Sequence, residues 1–473
     1  MTRSLETRKG AYVDSVTLMQ VSKRVGALDG VTAALVAMAT DLNLELAQGM
    51  GFEIPDGISG NDMLVALDVS SDEVLAAARA ELDAALAAAS KPAAGGFGEA
   101  PPPLTMRAAT REVDPESAVA LVSTPGQYAF ADALDAVEAG LLTMVFSDNV
   151  SLEQEVALKQ RAAETGALVM GPDCGTAVVG GVGLGFANVA RPGPVGIVAA
   201  SGTGAQHLLA LLDGADVGVS HCLGVGGRDL SSDVGGMSTL RALELLDADD
   251  ATELIVVISK PPAPEVADKV RAHAESLKTK VVFGLLGPGQ PDLTATAASV
   301  VEAAGGTWTA PEHWPGAVTT RRGDGALVGL FVGGTMRDEA RLVAAESLGV
   351  EPSSLEMVDF GDDEYTRGRP HPMIDGSLRL ERIEKEIDSD ACGVLLLDVV
   401  LGLGADPDPV ASLVEPIRRA SSAGLPVVAS VIGTRDDPQG LRRTAAALTD
   451  AGAAVFLSNA AAARAAADLV GAS

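Results

Sequence analysis

The chain has 473 residues, 47% hydrophobic, 21% charged and 3% aromatic, and a formal net charge of −30. It is too long for one core and points to three or four domains, and its many Gly, Ala, Val and Leu residues suit parallel sheets covered by helices. The negative field excludes a nucleic-acid backbone as partner, so an anionic small molecule must be held by local donors. Three scattered cysteines, Cys174, Cys222 and Cys392, form no CxxC pair, which excludes a disulfide framework or zinc cluster and fits a reducing compartment. No stretch stays apolar for the roughly 18 residues a membrane span needs, and MTRSLETRKGAY at the start is no signal peptide. The expectation is a cytoplasmic protein with no nucleic-acid or membrane partner.

Along the chain, residues 1–89 alternate short apolar runs (Val31–Val36, Met63–Leu67) with helical stretches at Ser15–Val25 and Val74–Leu86, a small α/β unit. Residues 90–110 open on SKPAAGGFGEAPPPL and form a linker. Residues 111–190 follow a βαβαβ order: strands at Ala118–Ser123, Leu142–Ser147 and Leu168–Met170, with helices near Ala129–Ala139 and Leu152–Thr165. In 191–310 the predicted strands are Val195–Ala199, Gly218–Val225, Glu253–Ser259 and Lys280–Leu286. In 325–473 they are Leu327–Val332, Gly393–Asp398, Pro426–Ile432 and Ala454–Phe456. These two units share a rhythm, as a diverged duplication of one doubly wound domain would. Ligands of such sheets bind outside the carboxyl ends of the strands.

The most informative segment is VGIVAASGTG, Val195–Gly204: a buried strand, a Gly-punctuated turn, then a helix start. The first turn of a helix has unpaired N–H groups and a positive dipole end, which suit phosphate or carboxylate. Ser201 and Thr203 add hydroxyls, and Gly202 and Gly204 leave room for an anion to approach. Such turns are also plain α/β architecture, and both readings stay open. In LGVGGRDLSSDVGG the N–H groups of Gly226 and Gly227 are placed to form a nest, with Arg228 clamping an anion or else pairing with Asp229 or Asp233 as loop scaffolding. ISKPP sets Lys260 at a strand's carboxyl end, where an anion contact outweighs a merely solvated role. VLLLDVVLGLGADPDP ends a strand in a turn with Gly402 and Gly404, which resembles the Ser201 turn; Asp406 and Asp408 read as caps of a helix starting near Pro409. The polar loop Asp359–Asp375, DFGDDEYTRGRPHPMID, gathers Arg367, Arg369 and His371, of which His371 is the best placed of five histidines to be acid, base or anion ligand. Cys174 in GPDCGT has a small buried role rather than a reactive one.

The order GPDCGT, ASGTG, GVGGRDL and SKPP resembles the α-subunits of ADP-forming acyl-CoA synthetases, the succinyl-CoA synthetase group. With FSDNVSLEQE, VGGT, GDDEYTRGRPHPMID and LLLDVV added, nearly the whole chain resembles the FdrA family. The resemblance implies a multidomain α/β fold: a Rossmann-like CoA-binding-type domain, two flavodoxin-like domains of the synthetase type and the small N-terminal α/β domain. It implies two helix N-termini aimed at one phosphoryl group, here starting at Ser201–Gly204 and after Leu401–Gly404. Family members are labelled acyl-CoA synthetases, or serve as subunits of an oxamate carbamoyltransferase that turns oxalurate and phosphate into oxamate and carbamoyl phosphate. The synthetases carry a phosphorylated histidine where this chain has GPGQPDLTATA, Gly287–Ala297, without one. Lys260 stands where they hold that histidine's glutamate. TPGQY, Thr124–Tyr128, stands at the level of the CoA-binding turn with one glycine, and there is no ATP-grasp region. The reading that follows is a carbamoyltransferase subunit in a hetero-oligomer, with phosphate or carbamoyl phosphate and a small ureido or oxamate-type acid as partners. Ser201–Gly204 with Gly226, Gly227, Gly402 and Gly404 bind phosphate, Lys260, Arg228 and His371 act in catalysis, and Arg367 and Arg369 hold substrate. No metal or other cofactor is expected. The alternatives are an ADP-forming ligase subunit and a non-catalytic scaffold.

Overall fold

The computed structural model describes residues 2–9, 13, 15–55, 57–89, 103–366 and 370–471, and the chain divides into two compact units. The first comprises residues 1–103 with 366–370. Its strands β1 (Thr2–Arg8), β2 (Val31–Met38) and β3 (Met63–Val69) form an antiparallel sheet in the order β1-β3-β2, with helices α1 (Ser15–Gly26), α2 (Asp41–Gly49) and α3 (Asp72–Ala89). The central strand β3 is buried throughout, so its two-residue period feeds two cores. Met63, Val65 and Leu67 pack with Leu18 and Val25 of α1 and Leu82 of α3, while Leu64 and Ala66 pack with Ala47 and Phe52. Sequence patterning finds β2, β3, α1 and α3 but not β1, whose TRSLETR has one apolar residue and is a strand because it completes the ladder on β3.

The second unit opens with the short helix α4 (Met106–Ala109), capped by Thr105, inside the stretch expected to be linker. The expectation for 90–102 lies outside the described residues. A parallel sheet follows, β4 (Val119–Val122), β5 (Leu142–Val145) and β6 (Val169–Met170), with α5 (Gly126–Glu138) and α6 (Leu152–Thr165) as crossovers. Ser151 caps α6 by accepting from the Gln154 N–H, and Gly166 ends it with φ 77°.

The hairpin β7 (Thr176–Val179) and β8 (Val182–Gly185), absent from the predicted elements, leaves that sheet and joins the next, with β7 antiparallel to β10. That sheet contains β9 (Pro192–Ala200), β10 (Val219–Gly224), β11 (Leu254–Ser259) and β12 (Lys280–Leu285), with helices α7 (Gly202–Gly214), α8 (Met237–Ala248), α9 (Pro264–Ala274) and α10 (Leu293–Ala303). Its order is β12-β11-β9-β10-β7-β8. The last sheet has β13 (His313–Trp314), β14 (Ala326–Phe331), β15 (Glu356–Asp359), β16 (Cys392–Val400), β17 (Val427–Ile432) and β18 (Ala454–Phe456), in the order β13-β18-β17-β16-β14-β15. Its helices are α11 (Gly334–Leu348), α12 (Asp363–Thr366), α13 (Ser377–Ile387), α14 (Val414–Ser422), α15 (Leu441–Asp450) and α16 (Asn459–Gly471).

Counted from their own first parallel strands, the first sheet runs 2-1-3-4 and the second 2-1-3-4-5, the doubly wound order expected of a duplicated domain. One apolar core links them: Leu208 and Leu212 of α7, Val300 of α10, Met336 and Val343 of α11 and Ala463 of α16 meet Ile197, Val256, Phe331, Leu396 and Val428 from the two sheets. Helix α7 is apolar almost all round because it is enclosed by this layer.

Below β10 the fold buries charge. Lys159 of α6, about 2% exposed, donates to Glu155 Oε1 (2.8 Å), Asp229 Oδ1 (2.7 Å) and the Val225 carbonyl (2.9 Å). Asp229 in turn accepts from the Ser238 and Thr239 N–H groups in the first turn of α8, and Arg228 donates to the other oxygen of Glu155. Lys159, Glu155 and Asp229 thus satisfy one another out of contact with water, and the exposed Arg228 closes the network from the solvent side. Replacing Lys159 by Met leaves Glu155 and Asp229 buried without their shared counter-ion, at a cost of about 3–5 kcal/mol. Urea unfolding of the second unit is expected to shift to a clearly lower midpoint in Lys159→Met, and an unchanged midpoint refutes the assignment.

Candidate anion-binding site

The order 2-1-3-4 creates a switch point between the first and third strands, where successive crossovers leave to opposite sides and a crevice opens. In the first sheet these strands are β9 and β11, paired up to Ala200 and Ser259, so Ser201 and Lys260 emerge side by side. In the second they are β14 and β16, and β14 runs directly into Gly333 and α11. The two switch points face each other: Ser201 Oγ lies 2.6 Å from Thr335 Oγ1, and a Cβ on Gly333 would come within 2.6 Å of Thr203 Oγ1.

Two helix N-termini therefore meet. The facing helix expected after Leu401–Gly404 is instead α11. After β16 the chain takes thirteen residues of turns, 401–413, before α14, and backbone groups of Leu401–Leu403 are consumed internally. Gly402 N–H donates to Gln439 Oε1, Leu403 N–H donates to the Ala187 carbonyl, and the Leu401 carbonyl accepts from Asn188 and Gln206. Gly402 and Gly404, at φ 125° and 76°, are required for packing against Ala187 and Gly185, not for a ligand.

Within α7, Ser201 accepts from the Gly204 N–H at 2.9 Å, so this donor is spent on the cap, and a Cβ on Gly204 would strike Ser201 Oγ. The N–H groups of Gly202 and Thr203 precede the first intrahelical bond and remain available. A Cβ on Gly202 would meet nothing nearer than Thr176 Oγ1 at 3.8 Å, so this is the open position of the turn. In α11 the N–H groups of Gly334 and Thr335 stand in the same situation. Just before them, Val332 and Gly333 donate to the two oxygens of the buried Asp398 at 2.8 and 3.1 Å. Arg379 donates to Asp398 at 3.0 Å from the other side; burial nevertheless holds this carboxyl up at about 6.

Lys260 reaches the start of α11: its Nζ lies 2.8 Å, and Asp359 Oδ2 2.4 Å, from where a Gly334 Cβ would stand. Asp359 closes β15 beside Phe331 and accepts from the Gly361 N–H; burial raises its carboxyl, and Lys260 opposes that rise. Asp173 is the group that sequence reading missed. It follows the turn at Pro172 in a left-handed conformation (φ 56°), with part of its surface open to solvent. Desolvation pushes it up to about 7; Lys260 and Arg228 pull downward while Asp148 and Asp363 push upward. Lys260 also lines a cleft of about 370 Å³ with Gly227, Ser231, Asp233, Ser259 and Pro262.

The loop with Gly226, Gly227 and Arg228 splits its roles. Gly226 (φ 89°) packs on the Pro172 carbonyl, Gly227 is open, and Arg228 is scaffolding through Glu155 and the Val150 carbonyl rather than through Asp229 or Asp233. His371 stands across from α11, 5.5 Å from the Phe186 ring, with Nε2 2.8 Å from a Gly361 Cβ position. Arg367 and Arg369 lie outside the described residues. The signal that would have found α11 was present: VGGT after an apolar strand repeats the pattern of ASGTG. Among the described residues no group of His, Cys, Asp and Glu is arranged to hold a metal.

The cysteines are buried, and desolvation raises Cys174 and Cys392 to about 12 and Cys222 higher still. All three are expected to resist a thiol reagent in the folded protein and to react together once it is unfolded in urea. Stoichiometric labelling without denaturant contradicts this.

Comparison with known proteins places these features. A model described as AllF, heavy metal-associated domain, matches residues 1–102, and a CoA-ligase model matches residues 330–469. Residues 1–102 contain no cysteine or histidine, so the thiolate and imidazole ligands of a heavy-metal site are missing there and no metal chemistry is derived. Succinate–CoA ligase [ADP-forming] subunit alpha 2 of Archaeoglobus fulgidus is 27% identical over 160 residues, covering 33% of this chain and 54% of that one. The corresponding alpha subunit of Methanothermobacter thermautotrophicus is 25% identical over 206 residues, 42% of this chain and 67% of that one. The dinucleotide forming acetyl-coenzyme A synthetase 1 of Ca. Korarchaeum cryptofilum, solved with phosphate and ADP, aligns over 80% of this chain and 87% of its own at 16% identity and a TM-score of 0.31. The uncharacterized protein YahF of Escherichia coli (strain K12) is 35% identical over 496 residues, covering 96% of this chain and 95% of that one. The chain belongs to the family of YahF, and it joins an AllF-type N-terminal domain to an acyl-CoA synthetase-like body.

Proposed function

We propose that this protein is a subunit that holds phosphate or an acyl phosphate between the N-termini of α7 and α11, and that the group it transfers is carbamoyl. The observation that carries the first part is the meeting of two helix starts at Ser201 and Thr335 with Lys260 beside them. Free N–H groups, two positive dipole ends and an ammonium converge where an anion of phosphate size fits the chemistry. The second part rests on the resemblance of GDDEYTRGRPHPMID and its companion motifs to the FdrA family, and on Lys260 in place of a histidine-orienting glutamate.

In that reaction a phosphate oxygen attacks the carbamoyl carbon of oxalurate, the carbon–nitrogen bond to the oxamate side breaks, and the departing nitrogen takes a proton. The N–H groups of Gly202, Thr203, Gly334 and Thr335 would bind the phosphate, and Lys260 would offset the charge developing on the carbonyl oxygen. Asp173, held at about 7, is a group beside Lys260 able to carry a proton at neutral pH. His371 would contribute from the α11 side, and Arg367 and Arg369 would hold the acid's carboxylate, or the partner subunit that completes the site. A second reading, an ADP-forming acid–thiol ligase subunit, is favoured by the CoA-ligase match over residues 330–469 and by the ligase α-subunits among the relatives. Carbamoyl phosphate formed from oxalurate and phosphate by the chain together with its genomic neighbours supports the first reading; ADP and a thioester formed from ATP, CoA and an acid support the second.

Two variants test the site itself. Gly202→Val sets a Cβ in ordinary contact with Thr176 Oγ1 at 3.8 Å and no nearer atom, so it is expected to abolish phosphate binding with little change in melting temperature; retained binding removes the turn from the site. Sulfate, which does not titrate near neutrality, is expected to bind severalfold more tightly as the pH falls through about 7, because protonation of Asp173 removes a negative charge beside the anion. Asp173→Asn is expected to flatten that profile at its acid limit, and an unchanged profile in this variant refutes the assignment.

A further inference from the structure

We infer that His371 acts in this cleft as a neutral hydrogen-bond donor through Nε2–H, and neither as a base nor as a nucleophile. The inference rests on the anion reading of the cleft and specifies what one of its groups does.

The ring's other nitrogen fixes the tautomer. The backbone N–H of Met373 donates to His371 Nδ1 at 3.2 Å, and a backbone N–H has no other polarity to offer. Nδ1 must therefore present its lone pair, and in the neutral ring the proton resides on Nε2. The turn that imposes this is itself fixed: the His371 carbonyl accepts from the N–H groups of Ile374 (2.8 Å) and Asp375 (3.1 Å), and the Met373 carbonyl accepts from Asp406. Phe186 covers one side of the ring at 5.5 Å. Nε2 then faces Gly361, where a Cβ would lie 2.8 Å from it, 2.8 Å from the Val332 carbonyl and 3.1 Å from Asp359 Oδ1. Val332 is two residues before the first turn of α11, so this N–H borders the anion site, and no bond from it to a described residue is seen.

Charge supports the same assignment. Among the described residues the charged groups on the elements around the ring include Asp359, at the end of β15, Asp375 on the ring's own turn, Asp406, whose N–H donates to the Met373 carbonyl, and Lys260, beyond Gly334. Burial dominates, and it holds the imidazole down at about 4, so the ring stays neutral through physiological pH. A neutral imidazole fixed in this tautomer has its only free lone pair turned toward Met373. It has no nitrogen with which to attack phosphorus, and it donates a hydrogen bond to an oxyanion without adding charge.

The test has two arms on the full-length chain. Nitrogen-15 spectra of histidine-labelled protein, with the His371 signals assigned by their loss in His371→Gln, are expected to show the Nε2–H tautomer and no protonation at pH 6. An Nδ1–H tautomer, half-protonation near pH 6.5, or a phosphohistidine at 371 overturns the inference. In the second arm, inorganic phosphate binding is measured by calorimetry. His371→Gln, which restores an N–H near the Nε2 position, is expected to bind within about threefold of wild type. His371→Phe, which keeps the ring volume and lacks the donor, is expected to lose about tenfold or more, the worth of a hydrogen bond to a charged acceptor. Equal affinity in wild type and His371→Phe overturns the donor role and leaves the phosphate site standing. No phosphate binding by the wild type overturns the site as a whole, and the donor role with it.

Discussion

Two like-poled helix ends are held against each other at Ser201 and Thr335, and the rest of the second unit is arranged around that contact. Each N-terminus carries roughly half a positive charge, so their approach is unfavourable unless something negative lies close by. The protein supplies part of that charge itself. Asp398, reaching from the middle of β16, takes the N–H groups of Val332 and Gly333, and Asp359 sits at the start of α11 opposite Lys260. Both carboxyls are held above their usual range by burial, which means the fold pays to keep them ionised there. An anion bound between Gly202 and Gly334 would complete the compensation from the open side. In a chain with a net charge of −30 this is a local reversal of sign, made from backbone dipoles and one ammonium rather than a basic surface.

That contact follows from the repeated topology. Each flavodoxin-like half places its first and third strands together, so each opens a crevice at the same end of its sheet, and the shared helical layer of α7, α10, α11 and α16 fixes the two crevices face to face. A polar seam holds the register between the halves. Asp437 accepts from Asn188 Nδ2 and from the Val189 N–H, Gln206 donates to the Leu401 carbonyl, and Thr434 donates to the Val189 carbonyl. These bonds are directional and largely buried, so they specify one relative placement where apolar packing alone would tolerate sliding.

Much of this was legible in the sequence. Short apolar runs located the parallel strands β9 to β12, β14 and β16 to β18, because largely buried strands need no alternation to be seen. ASGTG and SKPP marked the ends of β9 and β11 correctly. What stayed hidden is what depends on distant partners. The strand β1 is polar and exists through its ladder with β3, and the hairpin β7–β8 changes sheets, which no local pattern encodes. Arg228 lies beside Asp229 in sequence, yet pairs with Glu155, 73 residues away, because Lys159 and α8 already occupy Asp229. The turns at Gly204 and Gly402 read alike on the page, but one starts a helix and the other is locked to Ala187.

The glycines of the site separate by what surrounds them, and that separation distinguishes a binding turn from architecture. Gly204, Gly226, Gly333, Gly402 and Gly404 are each pressed against protein atoms or bent into positive φ, so a side chain at any of them is excluded by the fold alone. Gly202 and Gly227 have ordinary φ values and open space before them. Nothing in the protein forbids alanine at these two positions, so neither packing nor backbone conformation requires glycine there. Gly227 lines the cleft that contains Lys260, and Gly202 opens the first turn of α7 across from Thr176. Under the proposed reading a phosphate oxygen approaching the Gly202 N–H would meet a Cβ where it now meets none, so Gly202 is the glycine of the site whose replacement tests the ligand rather than the fold.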